Sequence, residues 1–202
     1  RTEAAIKQAL TYFQQAVAAD PGYAPAYSGL ADCYWSLGAS SVVGGLPPRQ
    51  AMPEAQSAAL KAVEIDGSLA EAHTSLAQVH LLYDWDFAAA EKEFKRALEL
   101  DPDYTAAHHW YSHCLLVLGR TEESLAESRR ALELEPLQLV VNFHLGWHYL
   151  YARQYDEAIE QDRRALELDP AFPQGQRYSA WAFLQKGRQE EAIASLRAAL
   201  TT

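Results

Sequence analysis

Histidines are the residues of this chain best placed to do chemistry at neutral pH, and four of its seven come in pairs. His109 and His113 stand four residues apart, as do His144 and His148. On a helix, that spacing puts both rings of a pair on one face. Their nitrogens could there bind a divalent metal or gain charge near neutrality. No cysteine or carboxylate is spaced to complete either pair, and His73, His80 and His108 read as packing positions. The expectation is therefore no metal site and no cofactor. Catalytic constellations are missing as well: there is no glycine-rich phosphate loop, nucleophile elbow, His-Glu-x-x-His segment or pair of inward carboxylates. The chain is expected not to be an enzyme and names no catalytic residue.

The elements that must position these histidines are set by a recurring turn. Asp20-Pro21, Asp66-Gly67, Asp101-Pro102, Glu135-Pro136 and Asp169-Pro170 follow one another at intervals of 46, 35, 34 and 34 residues. Each closes a helical pattern, and Ala97-Leu-Glu-Leu-Asp-Pro102 recurs almost unchanged at Ala131 and Ala165. A period of this length means stacked supersecondary units that bury their apolar faces against neighbours. Each unit carries two helical segments, A and B, and all seven histidines lie in A segments. Segment B repeats a doubled small residue at a spacing of seven: Ala9 and Ala16, Ala55 and Ala62, Ala90 and Ala97, Ser124 and Ala131, Ala158 and Ala165, Ala192 and Ala199. Small side chains are what let two helix backbones cross closely.

Composition narrows the function classes. Net charge is −10 with no basic run or stripe, which argues against nucleic-acid binding through this segment. No uncharged apolar run approaches the length of a membrane span, so no membrane association is expected. Cys33 and Cys114 lie more than two units apart and read as small buried residues in a reducing compartment, pointing to a cytoplasmic protein. Starting at Arg1 without an initiator Met, the chain is expected to be part of something longer.

Segment A of the fourth full unit reads Asn142-x-x-Leu145-Gly146-x-x-Tyr149, and its segment B carries Ala158 and Ala165 before Pro170. This resembles the tetratricopeptide repeat, an antiparallel helix pair of 34 residues. The resemblance implies an all-α fold, a right-handed superhelical solenoid of antiparallel helix pairs with about eleven helices. The array is expected to run over residues 1–202: a partial repeat at 1–23, then 24–69, 70–104, 105–138, 139–172 and 173–202, with a loop insertion at about 38–50. The second full unit carries one extra residue in Tyr83-Asp84-Trp85-Asp86. Where the family usually has an aromatic on helix B, this chain has Ala59, Ser128, Asp162 and Leu196, keeping only Phe13 and Phe94.

The resemblance also implies that A helices line a concave groove. Their only charged residues, Asp32, Glu71, Arg177 and Lys186, cancel, so the net charge falls on B helices and turns. Groove positions carried over from the family, with the aromatic run weighted most, give Trp35, Gln78, His109, His113, Phe143, Trp147, Tyr151, Arg177 and Trp181. Aromatic rings offer large contact area at little rotamer entropy, so a protein or peptide partner with apolar side chains is expected. Only Arg177 supplies a fixed positive charge there, which implies weak salt dependence. The alternative expectation is a structural spacer, a module self-associating through its terminal helices, or a regulatory array beside an effector domain. The segment Tyr83-Asp-Trp-Asp-Phe87 with Ala106-Ala-His-His-Trp-Tyr111 is similar to arrays of bacterial multidomain transcriptional and kinase regulators.

Overall fold

The computed structural model describes residues 3–38 and 45–201. Among them are eleven α-helices and no strand: α1 (Glu3–Ala19), α2 (Ala24–Gly38), α3 (Pro48–Ile65), α4 (Ala70–Val79), α5 (Phe87–Leu100), α6 (Thr105–Val117), α7 (Thr121–Leu134), α8 (Leu139–Tyr151), α9 (Tyr155–Leu168), α10 (Pro173–Gln185) and α11 (Gln189–Thr201). Residues 39–44 of the expected insertion at about 38–50 lie outside the described residues. α3 re-enters at Pro48, where the missing N–H costs no helical bond. The chain divides into two compact units, Arg1–Trp110 and Tyr111–Thr202, with the division falling inside α6.

The recurring acidic turn works the same way at nearly every copy. The N–H of Asp20, Asp66, Asp101, Glu135 and Asp169 caps its helix by donating to the carbonyl of the alanine four residues earlier. The aspartate carboxylates then accept the backbone N–H two residues on: Gly22 on Asp20, Ser68 on Asp66, Asp103 on Asp101 and Ala171 on Asp169, at 2.8–3.0 Å. One short side chain thus ends one helix and aims the chain into the next, as aspartate in a turn does. Glu135, one methylene longer, instead takes a hydrogen bond from the Gln138 side chain.

Burial follows the small-residue rule. Ala55, Ala62, Ala90, Ala97, Ser124, Ala131, Ala158, Ala165 and Ala192 are completely buried. Ala9, Ala16 and Ala199, in the first and last helices, are only half-buried. Within the first unit α2 packs on α1, α3 and α4, its Leu30 and Ala31 meeting Ala58, Ala59 and Leu76, with Phe13 against them. Within the second, α8 packs on α7, α9 and α10. The B helices turn charge to solvent in pairs one turn apart, such as Lys95 with Glu91, Arg130 with Glu133, and Arg163 with Glu160. Such exposed pairs solvate a face more than they stabilise it.

The turn from A to B is a second periodic device. Trp85, Gly119, Arg153 and Gly187, each 34 residues after the last, all adopt left-handed backbone, with φ of 58°, 76°, 61° and 73°. In three of these turns the next N–H reaches back to the carbonyl five residues before it, Arg120 to Leu115, Gln154 to Tyr149 and Arg188 to Phe183, each at 2.9 Å. The extra residue of the second full unit is absorbed just before Trp85. There α4 continues as a π-helical turn, His80–Asp84, the wider winding that accommodates an inserted residue.

Candidate functional site

α8 presents two parallel rows of rings because its aromatics and histidines recur every four residues. One row is Phe143, Trp147 and Tyr151; the next is His144 and His148. Phe143 is buried and packs edge-on against Phe172 and Tyr178, with ring centroids 5.1 and 5.2 Å apart. Tyr178 in turn lies 5.2 Å from Trp181, one helical turn further along α10. Trp147 is half-buried, 5.2 Å from His113 and edge-on to Tyr151 at 5.1 Å. Its indole N–H is buried without an acceptor among the described residues, an uncommon state for such a donor.

The row ends in solvent. Tyr151 is 55% exposed and Trp181 51%. Together with Leu150, Arg153, Tyr155 and Gln185 they line an open groove of about 500 Å³ between the end of α8, the start of α9 and α10. Arg177 is exposed one turn before Trp181. Among the described residues neither Arg153 nor Arg177 has an ion-pair partner, whereas Arg130, Arg163, Arg164, Lys186 and Arg188 are each paired with a carboxylate.

The histidine row forms a buried relay. His113 Nε2 is 3.1 Å from His144 Nδ1, while His113 Nδ1 is 3.1 Å from His148 Nε2. His148, fully buried, brings its Nδ1 to 2.6 Å from Ser128 Oγ and 3.4 Å from Ser124 Oγ. Ser124 itself donates to the Ser112 carbonyl at 2.8 Å. Ser128 and Ser124 are helix B positions, and their hydroxyls leave room and a partner for an imidazole.

In the first unit, Trp35 is half-buried and edge-on to Trp110, 4.9 Å away at 76°. Gln78 and His109 are buried. His109 packs 5.2 Å from the Trp110 ring, and burial holds its imidazole down at about 4, so it is neutral at pH 7. Asp32 accepts a hydrogen bond from the Ser75 hydroxyl at 2.8 Å, which ties that acid into the packing.

Of the residues expected from sequence, the second unit brings Phe143, Trp147, Tyr151 and Trp181 into one ring-on-ring run with His113 at its edge, and leaves Arg177 exposed beside it. Trp35, Gln78 and His109 belong to the other unit. Sequence reasoning missed Tyr178 and Arg153. Tyr178 was detectable, lying one turn before Trp181; Arg153 was not, since its importance comes from a left-handed turn that glycine fills in two other copies.

Paired helices at a fixed period, with first helices side by side in each unit, define an α-helical repeat protein. Family models described as Tetratricopeptide repeat match residues 2–64 and 81–142, and a further one matches 143–202; the chain belongs to this family. Among curated proteins it is similar to Transcriptional regulator HilA of Salmonella typhimurium and of Salmonella typhi, at 28% identity over 124 residues, covering 61% of this chain. The match spans only 22% of those relatives' length. Solved structures with the same fold include Cut9–Hcn1 of the APC/C (TM-score 0.80, 18% identity, 98% of this chain and 37% of that one). Pseudomonas aeruginosa PilF is another (0.72, 23%, 88% and 75%). A third is YrrB, a TPR protein with an unusual peptide-binding site (0.63, 21%, 94% and 91%). Among the described residues no helix is long and apolar enough to cross a membrane.

Proposed function

We propose that the chain is a protein-interaction scaffold whose second unit docks a partner segment on the aromatic groove of α8 and α10. The observation that carries this reading is the half exposure of Tyr151 and Trp181 at the end of a run of rings whose other members are buried or half-buried. Large rings held by packing beneath and open to solvent above are the composition of binding hot spots. The groove is open to solvent, which suits an extended or helical peptide more than an enclosed small molecule. Arg153 and Arg177, without carboxylate partners among the described residues, select a segment in which an aromatic or aliphatic anchor stands beside acidic residues. Arg153 adds a second fixed cation to the one expected from sequence, so binding is expected to weaken moderately as salt rises.

The test is selection of peptides from a random displayed library on the intact chain, followed by anisotropy titration of the winners. Tyr151→Ala and Trp181→Ala are expected to weaken binding at least tenfold each while leaving the thermal melt within a few degrees, because both rings are half in solvent. Equal affinity for the double variant, or winners without acidic residues near an apolar anchor, rejects the reading.

The similarity to Transcriptional regulator HilA favours a second reading, in which the repeats serve as a regulatory spacer joined to an effector domain such as a transcription regulator or kinase. Signalling in a bacterial cytoplasm belongs to this reading. It predicts that effector output in a longer protein responds to removal of the repeats and not to the Tyr151→Ala, Trp181→Ala double change.

A further inference from the structure

α6 and α8 turn two histidines toward each other. The rings of His113 and His144 meet edge to face, with centroids 4.6 Å apart at 85°, and His113 Nε2 stands 3.1 Å from His144 Nδ1. Two nitrogens at this distance can share one proton or one cation. Bound tetrahedrally to Zn2+ at about 2.0–2.1 Å each, they would stand about 3.3–3.4 Å apart, a widening of only a few tenths of an ångström.

The outer contacts also match those of a metal ligand. Ligating histidines characteristically engage the second ring nitrogen with a neighbour that fixes tautomer and orientation. His113 Nδ1 is held by His148 Nε2 at 3.1 Å, and His148 is held in turn by Ser128. Trp147 walls the pair, with ring centroids 5.2 Å from His113 and 5.9 Å from His144, and restricts water on that side. His144 is only half-buried, which leaves a way in for the ion.

We propose that His113 and His144 bind one divalent transition-metal ion of the zinc, nickel and copper class, with His148 as the positioning residue behind His113. Two neutral imidazoles leave further coordination positions for water or a carboxylate. Spacing along the chain points elsewhere. It suggests the same-helix pairs 109/113 and 144/148, neither of which is complete, whereas the structure joins His113 to His144 across helices.

The test is calorimetric titration of the chelator-treated full chain with Zn2+, alongside Co2+ absorption spectroscopy. One equivalent of Zn2+ is expected to bind, and Co2+ to give the visible bands of a nitrogen-rich tetrahedral site. His144→Ala, half-exposed and therefore mild for folding, is expected to abolish both. His148→Ala is expected to weaken Zn2+ binding by about 10–100-fold. His80→Ala, whose imidazole pairs with Asp84 elsewhere in the chain, is expected to change nothing. A melt raised by Zn2+ in the unmodified chain and unmoved in His144→Ala separates specific binding from misfolding of the variant. Absence of binding heat, or an equal response from His144→Ala, overturns the proposal.

Discussion

Gly146 lies directly against Asp162: a Cβ at Gly146 would fall well inside van der Waals contact with Asp162 Oδ1. The carboxyl sits between α8 and α10, 1% exposed, at a helix B position where Phe13 and Phe94 stand in other copies. Oδ2 accepts the Ser179 hydroxyl at 3.3 Å, and Oδ1 has no partner among the described residues. Gly146→Ala is therefore expected to cost about 1–3 kcal/mol by overpacking. Removing the obstructing carboxyl in Gly146→Ala, Asp162→Ala should recover much of that loss. Denaturant unfolding of the two single variants and the double closes the cycle; strict additivity would show that the two residues do not press on each other.

Asp162 also predicts a pH dependence. Burial pushes its carboxyl up to about 8, opposed only by the Ser179 hydrogen bond, and the Tyr178 phenol is near enough to feel its charge. Between pH 4 and 8 the folded chain holds a proton that the unfolded chain has released. Stability from this group is complete below pH 4 and falls as pH rises to 8, by about 1.4 kcal/mol per pH unit. Urea unfolding at pH 5 and pH 7.5 should show the decline, and Asp162→Asn should remove most of it. A chain whose stability rises over that interval, with the Asn variant rising in parallel, would contradict the assignment.

The repeat was legible because its constraints are local. The aspartate turn acts within four residues, and the buried alanines Ala62, Ala97, Ala131 and Ala165 recur at positions set by one helix crossing. Contacts between copies were not legible. The approach of His113 to His144 depends on how α6 and α8 are rotated about their axes, and no spacing within one helix reports that. The fit of Asp162 over Gly146 depends likewise on two helices together. The extra residue near Tyr83 was visible as a length change, but its absorption in a π-helical turn at His80–Asp84 depends on geometry within α4. On the aromatic face the rings themselves were readable, because Phe143, Trp147 and Tyr151 form one row on one helix. Their division into buried and exposed members was not.

Arg153 carries backbone strain that glycine avoids at the same point of two other copies, and that Trp85 shares. Its φ of 61° is the left-handed conformation that Gly119 and Gly187 adopt at the same point of their repeats. An L-residue there costs about 1–2 kcal/mol, partly offset by the greater freedom glycine has when unfolded. Arg153→Gly is expected to raise stability by about 0.5–1 kcal/mol. It should also weaken acidic-peptide binding, consistent with strain retained where a side chain is useful. Gly119→Ala is the mirror experiment. Nothing lies within 4 Å of the position a Cβ would take at Gly119, so a loss of about 1 kcal/mol there would be due to backbone alone. Denaturation midpoints for the two variants should move in opposite directions.

The crossing rule makes a last prediction that distinguishes interior copies from terminal ones. Ala131 in α7 is completely buried, while Ala16 occupies the same repeat position in α1 and is only half-buried. Both are alanine with a carbonyl that accepts the helix-ending N–H, from Glu135 and Asp20 respectively, so local helix structure does not separate them. Leucine at Ala131 has to push adjacent backbones apart, at about 1–3 kcal/mol or more. At Ala16 the added carbons can extend toward open surface, and the change should stay within about 0.5 kcal/mol. Thermal unfolding of Ala131→Leu and Ala16→Leu measures the difference directly. Equal losses would mean that alanine is required by the helix itself, whereas a large loss confined to Ala131 assigns the requirement to the close approach of neighbouring helices.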